Sequence, residues 1–334
     1  MFLEHHEITS ARTSMASSST DPLVCVHVCA PLVFSAPHGL AVWREGECSR
    51  VRKLAGGRRL HMREEHATEL AILLAAEVNA SFICWNAIAT SGDPANLDPN
   101  YLYESQLLAS PWHHALRTLR DRFSHLSVPM FLVDVHGKRD RREHLRMDVG
   151  VSALRWRSSL VATQLCDELR ALLGKLLDEL SPIDGKHFGV DFPAEGERGN
   201  GAWGQEPHVP RTLTQQANTL GVAAIQLELP RTLRRLLMED QGLRARFAGA
   251  FAAAYARVVA SGQAQLALQA SACRPEADGS NDEREPAGGT AGLAHVDGVC
   301  LLSSQQEIDD LLRDTQARHG RGGDAEAEGT ERQI

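Results

Sequence analysis

The chain has 334 residues, 43% of them hydrophobic, which is enough to bury one large core or two modest ones. A formal charge of -8 and a pI near 6.0 exclude a general nucleic-acid binder, because neutralising phosphates takes a dominant basic surface. The seven cysteines are scattered, odd in number and never spaced as a CxxC pair, so neither a disulfide framework nor a zinc ribbon is suggested; a reducing, cytoplasmic setting fits best.

In chain order, residues 1–20 form a polar, Ser/Thr-rich lead that reads as disordered and lacks the basic end and apolar stretch of a secretory signal. No run of about 18 apolar residues occurs, so no membrane span is expected. Residues 21–271 carry the expected folded domain. Residues 23–34 are apolar and β-branched, interrupted by Pro31, and predict one or two strands ending at Ser35-Ala36-Pro37-His38-Gly39. A helix is predicted over 65–78, where Leu70, Ile72, Leu73 and Val78 recur among alanines. Strands follow at 81–88, 128–135 and 222–229, with helical patterns at 104–123, 154–180 and 242–259. This alternation predicts an α/β fold, a mixed and largely parallel sheet flanked by helices on both faces. Residues 272–334 read as a mostly disordered tail. Within it, Ser304 and Glu307 make a capping box ahead of Ile308, Leu311 and Leu312, predicting a short helix over 304–316 that docks on the core or on a protein partner.

Chemistry in such sheets collects beyond the strand C-termini, where loops open a crevice. His38 follows the first strand region, and Gly39 lets the chain turn beside the imidazole. His136 ends another strand, and alternation puts Asp134 on the same side, where it can orient the histidine. Glu64 and Glu65 stand at a helix start, a place that favours anions for structural reasons alone. With two strand-end histidines, either one completes a His/Glu/His set that leaves zinc an open position. Glu228 lies near the end of an otherwise apolar strand. Burial there would raise its pKa toward that of a general base, unless it pairs with Arg231 or Arg234. No Gly-x-Ser-x-Gly elbow is present, and Gly56-Gly57 lacks the spacing of a phosphate-binding loop.

Taken in order over residues 32–235, these segments resemble the N-formylglutamate amidohydrolase family and its zinc carboxypeptidase-like and N-acetylmuramoyl-alanine amidase-like relatives. Ser-Ala-Pro-His38-Gly looks like the first metal-ligand loop and Val-Asp-Val-His136-Gly like the later one. Gln226-Leu-Glu228-Leu resembles the strand supplying the catalytic glutamate. Arg63-Glu64-Glu65-His66 is similar to the acidic segment, with Glu64, Glu65 or His66 as the middle ligand. Asp98-Pro99-Asn100 resembles the family's Asp-x-Asn-Arg region, with Tyr101 where the arginine is expected, so N-formylglutamate is not the expected substrate. The resemblance implies one zinc ion per chain, a small N-acyl amino acid or short peptide as substrate, and cleavage of an amide bond. It gives Glu228 as base and Asn100 and Tyr101 as substrate contacts, while the cations just after His136 stand in for the missing arginine, Lys138 toward the substrate and Arg139 as oxyanion stabiliser. Two other readings are a peptidase or peptidoglycan-type amidase on the same scaffold, and a non-catalytic interaction protein that keeps the fold.

Overall fold

The computed structural model describes residues 24–45, 58–86, 89–206, 208–261, 299–302 and 304–322. What is expected of residues 1–20, and of most of the tail, lies outside the described residues.

Two strands fill the first apolar region, β1 (Val24–His27) and β2 (Leu32–Ala36), split around Pro31. The hairpin β3 (Val42–Glu45) and β4 (Arg58–His61) follows as a separate two-stranded sheet. Next come α1 (Ala67–Glu77), β5 (Ser81–Trp85), α2 (Glu104–Leu107) and α3 (Pro111–His125). The helix expected over 104–123 is two helices, because Ser110 caps and Pro111 opens a new one, a ring well suited to a first turn. The chain continues through β6 (Phe131–Lys138), β7 (Leu145–Gly150), α4 (Ser152–Arg157) and α5 (Ser159–Asp178). Ser158 caps α5 by accepting from the Val161 N–H, which divides the expected 154–180 helix. After β8 (Phe188–Asp191) come α6 (Leu213–Thr219), β9 (Ala223–Pro230), α7 (Arg231–Glu239) and α8 (Gln241–Ala254). The last elements are β10 (Val299–Leu302) and α9 (Gln305–Gly322).

The main sheet has eight strands among the described residues, in the order β10-β1-β5-β2-β6-β9-β7-β8. Its centre, β5-β2-β6-β9, is parallel throughout. Direction reverses only between β1 and β5 and between β9 and β7. The fold is thus the mixed, largely parallel α/β sheet expected, with helices on both faces. The tail adds more than its helix: β10 extends the sheet beside β1, and Ile308 and Leu311 of α9 join the core.

Strand alternation divides the core. Phe34, Phe82, Val133, Val135, Ile225 and Leu227 face α1, α5, α7 and α8. Val33, Ile83, Leu132 and Ala224 face α3 and α6. On this second face the row turns polar toward the C-terminal ends of the strands. Leu132 gives way to Asp134 and His136, and Ala224 to Gln226 and Glu228. Pairing lines these residues up across the sheet. Ser35 stands beside Asp134 and Asp134 beside Gln226; His136 stands beside Glu228 and Glu228 beside Asp148. No helix among the described residues is long and apolar enough to cross a membrane.

Candidate metal centre

His38 leaves β2 in a short loop held from outside: the Trp85 indole donates to the Pro37 carbonyl at 2.6 Å, and the Glu64 N–H donates to the His38 carbonyl at 2.9 Å. Gly39 is required by close approach and not by its dihedral freedom, since a β-carbon there would lie 1.7 Å from Thr68 Oγ1 of α1. The loop and the start of α1 are therefore pressed together, and Glu64 comes with the helix.

Glu64 sits between the two histidines. Its Oε1 is 3.0 Å from His38 Nδ1, and its Oε2 is 3.3 Å from His136 Nδ1 and accepts from the Gly137 N–H at 2.7 Å. The far side of each ring is held by another buried carboxylate. His38 Nε2 lies 2.9 Å from Asp98 Oδ1, and His136 Nε2 lies 2.9 Å from Asp134 Oδ2. Asp134 is fixed in turn by Ser35 Oγ at 2.7 Å and by the Asn100 side-chain amide at 3.1 Å. With protons on Nε2, both Nδ1 lone pairs converge on a carboxylate in a buried place. That arrangement calls for a cation, and His38, Glu64 and His136 each offer a donor atom within 4.8 Å of the others. The three together could hold one metal ion.

Without a cation, protons take that place. Burial alone would lower the His38 pKa, but Asp98 and Glu64 outweigh it and hold it above the ordinary value. Burial likewise opposes the charge on His136, yet Asp134 and Glu64 raise it well above that value. Glu64, although largely desolvated, is held well below the carboxylate range by the two imidazoles. Asp98 is also pulled down against its burial, by His38 and Arg44.

The structure separates the candidates for the middle position. Glu65 turns away to pair with Arg231 at 2.6 Å, and His66, at a φ of 62° before α1, lies 3.5 Å from Glu65. Neither is drawn to the histidines because successive residues leaving the turn point in different directions, and only Glu64 points inward. Arg234 locks this arrangement. Its guanidinium donates to the Glu65 carbonyl at 2.8 Å, to the Lys138 carbonyl at 3.2 Å and to the Leu229 carbonyl, crossing where a side chain on Gly137 would be.

Glu228 pairs with neither Arg231 nor Arg234. It accepts from Gln226 Nε2 at 2.8 Å, and burial pushes its pKa up, with His136 opposing and Glu64 adding to the rise. Its register neighbour Asp148 is joined to Lys138 Nζ at 2.6 Å. Alternation along β6 keeps Lys138 on the side of Asp134 and His136. Arg139, the expected oxyanion stabiliser, follows the strand's last residue outward and is exposed. Asn100, expected to meet substrate, has both ends of its amide engaged internally, the nitrogen against Asp134 at 3.1 Å and His136 Nε2 at 2.7 Å and the oxygen by the Leu213 N–H.

Sequence reasoning gave no role to Asp98 or His61. Asp98 was visible in its Asp-Pro-Asn motif, but its tie to His38 bridges 60 residues and has no local signal. His61 ends the short β4, with its ring 4.0 Å from that of His38 and Nε2 3.3 Å from Glu64 Oε1. Burial and the nearby His38 lower its pKa to about 4, so it is neutral near pH 7.

No protein-family model matches this chain, and no curated protein does. Among solved structures, zinc-free YndL is 16% identical with a TM-score of 0.33, covering 72% of this chain and 91% of that one. The gene product Atu2144 from Agrobacterium tumefaciens is 12% identical with a TM-score of 0.38, covering 72% and 95%. Uridine phosphorylase from Vibrio fischeri, complexed with 6-hydroxy-1-naphthoic acid, is 10% identical with a TM-score of 0.22, covering 74% and 93%. Likenesses this slight carry no weight for function, which rests on the geometry of the centre.

Proposed function

We propose that this chain is a zinc-dependent amidohydrolase that cleaves the amide bond of a small N-acyl amino acid or peptide-like substrate. The observation that carries this reading is the convergence of His38, Glu64 and His136 at the C-terminal edge of the parallel strands, with the half-buried Glu228 on the neighbouring strand.

The donor set suits zinc. Two imidazole nitrogens and one carboxylate oxygen leave a position open, and each imidazole is backed by a carboxylate that fixes its tautomer. When bound, zinc supplies Lewis acidity toward a carbonyl oxygen and toward water. Glu228, its pKa pushed up by desolvation, takes a proton from the attacking water and returns it to the leaving amine. Lys138, ion-paired to Asp148 and on the same sheet face as Glu228, is the cation closest in the register to the developing negative charge. Asp98 and Asp134 hold the two rings, so the site keeps its shape through the reaction.

Metal analysis of purified protein, repeated for His38→Ala and His136→Ala, tests the site. Zinc is expected at one ion per chain in the parent and absent in both variants. Glu228→Gln is expected to retain zinc and lose turnover on a panel of N-acyl amino acids and short peptides. Folded parent protein that holds no zinc, or zinc-loaded protein silent across the panel, would overturn the reading.

A further inference from the structure

The loop Asp98-Pro99-Asn100-Tyr101 joins the metal centre to a second group of side chains. Asp98 holds His38 through one oxygen and Arg44 Nε through the other. Asn100 holds Asp134 through its side chain, and its carbonyl accepts from the Trp203 indole at 3.1 Å. Tyr101, between these ties, is buried with the Arg44 guanidinium 5.6 Å above its ring and the Trp203 ring 6.0 Å away, nearly perpendicular. Arg44 thus bonds the carboxylate that holds His38, and Trp203 bonds the residue whose amide meets Asp134 and His136.

Both have capacity left over. Arg44 is largely desolvated, yet only its Nε meets an acceptor among the described residues, which leaves the two terminal nitrogens of a planar fork. Trp203 is 52% exposed, an unusual place for a large ring, and its indole hydrogen bond and Tyr101 contact keep it from swinging away. Two other cations near the centre are already engaged by the protein, Lys138 by Asp148 and Arg234 by three carbonyls.

Resting on the amidohydrolase reading, we propose that Arg44 and Trp203 form the specificity subsite of this centre and select an N-acyl amino acid with a free carboxylate and a planar side chain. The carboxylate is held by the two terminal nitrogens of Arg44, whose orientation is set by Asp98 and Tyr101. The planar side chain lies on Trp203. Arg44 comes from β3 of the small hairpin, where its register partner is Arg59, so the same face carries a second cation further out.

Calorimetric titration of zinc-loaded Glu228→Gln protein with N-acetyl-L-phenylalanine, its carboxamide and N-acetyl-L-alanine tests this. The acid is expected to bind about tenfold or more tightly than the carboxamide, in keeping with a two-pronged guanidinium–carboxylate contact. Added Arg44→Gln or Arg44→Lys should remove that preference. Arg44→Lys keeps a cation on Asp98, so retained zinc in that variant shows that the loss does not come through His38. Added Trp203→Ala should erase the preference for phenylalanine over alanine and leave the acid preference in place. Equal affinity for acid and carboxamide, or a preference that survives both Arg44 substitutions, overturns the subsite. Parent protein without amide turnover but with the acid preference intact overturns the hydrolase reading alone.

Discussion

Replacing Gly39 with alanine asks whether the first histidine loop and α1 are fitted closely enough to set the metal centre. The new β-carbon would fall 1.7 Å from Thr68 Oγ1 and 3.0 Å from Thr68 Cβ, and real β-carbons essentially never come nearer than 3.0 Å to another heavy atom. Thr68 is buried, so relief of about 1.3 Å (3.0 less 1.7) must come largely from the loop or from the start of α1. Overpacking of this kind costs about 1–3 kcal/mol. The same shift pulls His38 from Glu64, and a site held to about 0.5 Å does not survive a displacement of this size intact. A loss of zinc affinity on the order of 10- to 100-fold is expected, as when support of a ligand is removed. Urea unfolding of metal-free protein and competition against a chromophoric chelator measure the two effects separately. Thr68→Gly removes both offending atoms, so Gly39→Ala combined with Thr68→Gly should regain most of the zinc affinity relative to Gly39→Ala alone. An unchanged unfolding midpoint and zinc affinity in Gly39→Ala, or a double variant no better than the single one, would refute the reasoning.

The adjacent glutamates should behave oppositely. Glu64→Ala is expected to abolish zinc retention, while Glu65→Ala breaks half-exposed contacts with Arg231 and His66, keeps zinc and changes stability by about 0–1 kcal/mol in chemical denaturation. Asp98→Asn and Asp134→Asn should each weaken zinc binding by roughly 10- to 100-fold in chelator competition while the fold persists, because each carboxylate sets the ring of one ligand. The pH dependence of metal-free protein follows from the cluster. His38 and His136 have raised pKa values, so their contribution is complete below the ordinary 6.5 and is lost as pH rises through the raised values. Glu64 is depressed, so its contribution is complete above 4.5 and is lost as pH falls through its lowered value. Melting temperature against pH should therefore peak between these limits without metal and move its optimum upward with zinc, which replaces the protons. An identical profile with and without a chelator would count against proton and metal sharing the site.

Much of the scaffold was legible because it obeys simple periodicities. The strands at 81–88, 128–135 and 222–229 and the helix at 65–78 were read within a few residues of Ser81–Trp85, Phe131–Lys138, Ala223–Pro230 and Ala67–Glu77. Strand-end position located His38, His136 and Glu228, and alternation put Asp134 with His136. The hairpin of β3 and β4 and the strands β7 and β8 went unread, being four to six residues long and mixed in polarity. With the hairpin went Arg44 and His61, which enter the site by tertiary approach alone. The choice between Glu64 and Glu65 depends on the direction of a turn containing a left-handed His66, and such a backbone state leaves no mark in a run of charged residues. Asn100 is expected to meet substrate because Asp98-Pro99-Asn100 resembles the family's Asp-x-Asn-Arg region, yet its amide is engaged inside the protein.

The pairing of β10 with β1 has a consequence for biosynthesis. Val24 meets Val299, and contacts across this seam span 275 residues. At about 5–20 residues per second, β1 waits roughly 14–55 seconds on the ribosome before the strand that covers its outer edge has been made. Throughout that interval the growing chain presents an open row of amides and carbonyls able to capture a neighbouring polypeptide. A chaperone that shields nascent strand edges should therefore raise the yield of this protein more than one that acts after release.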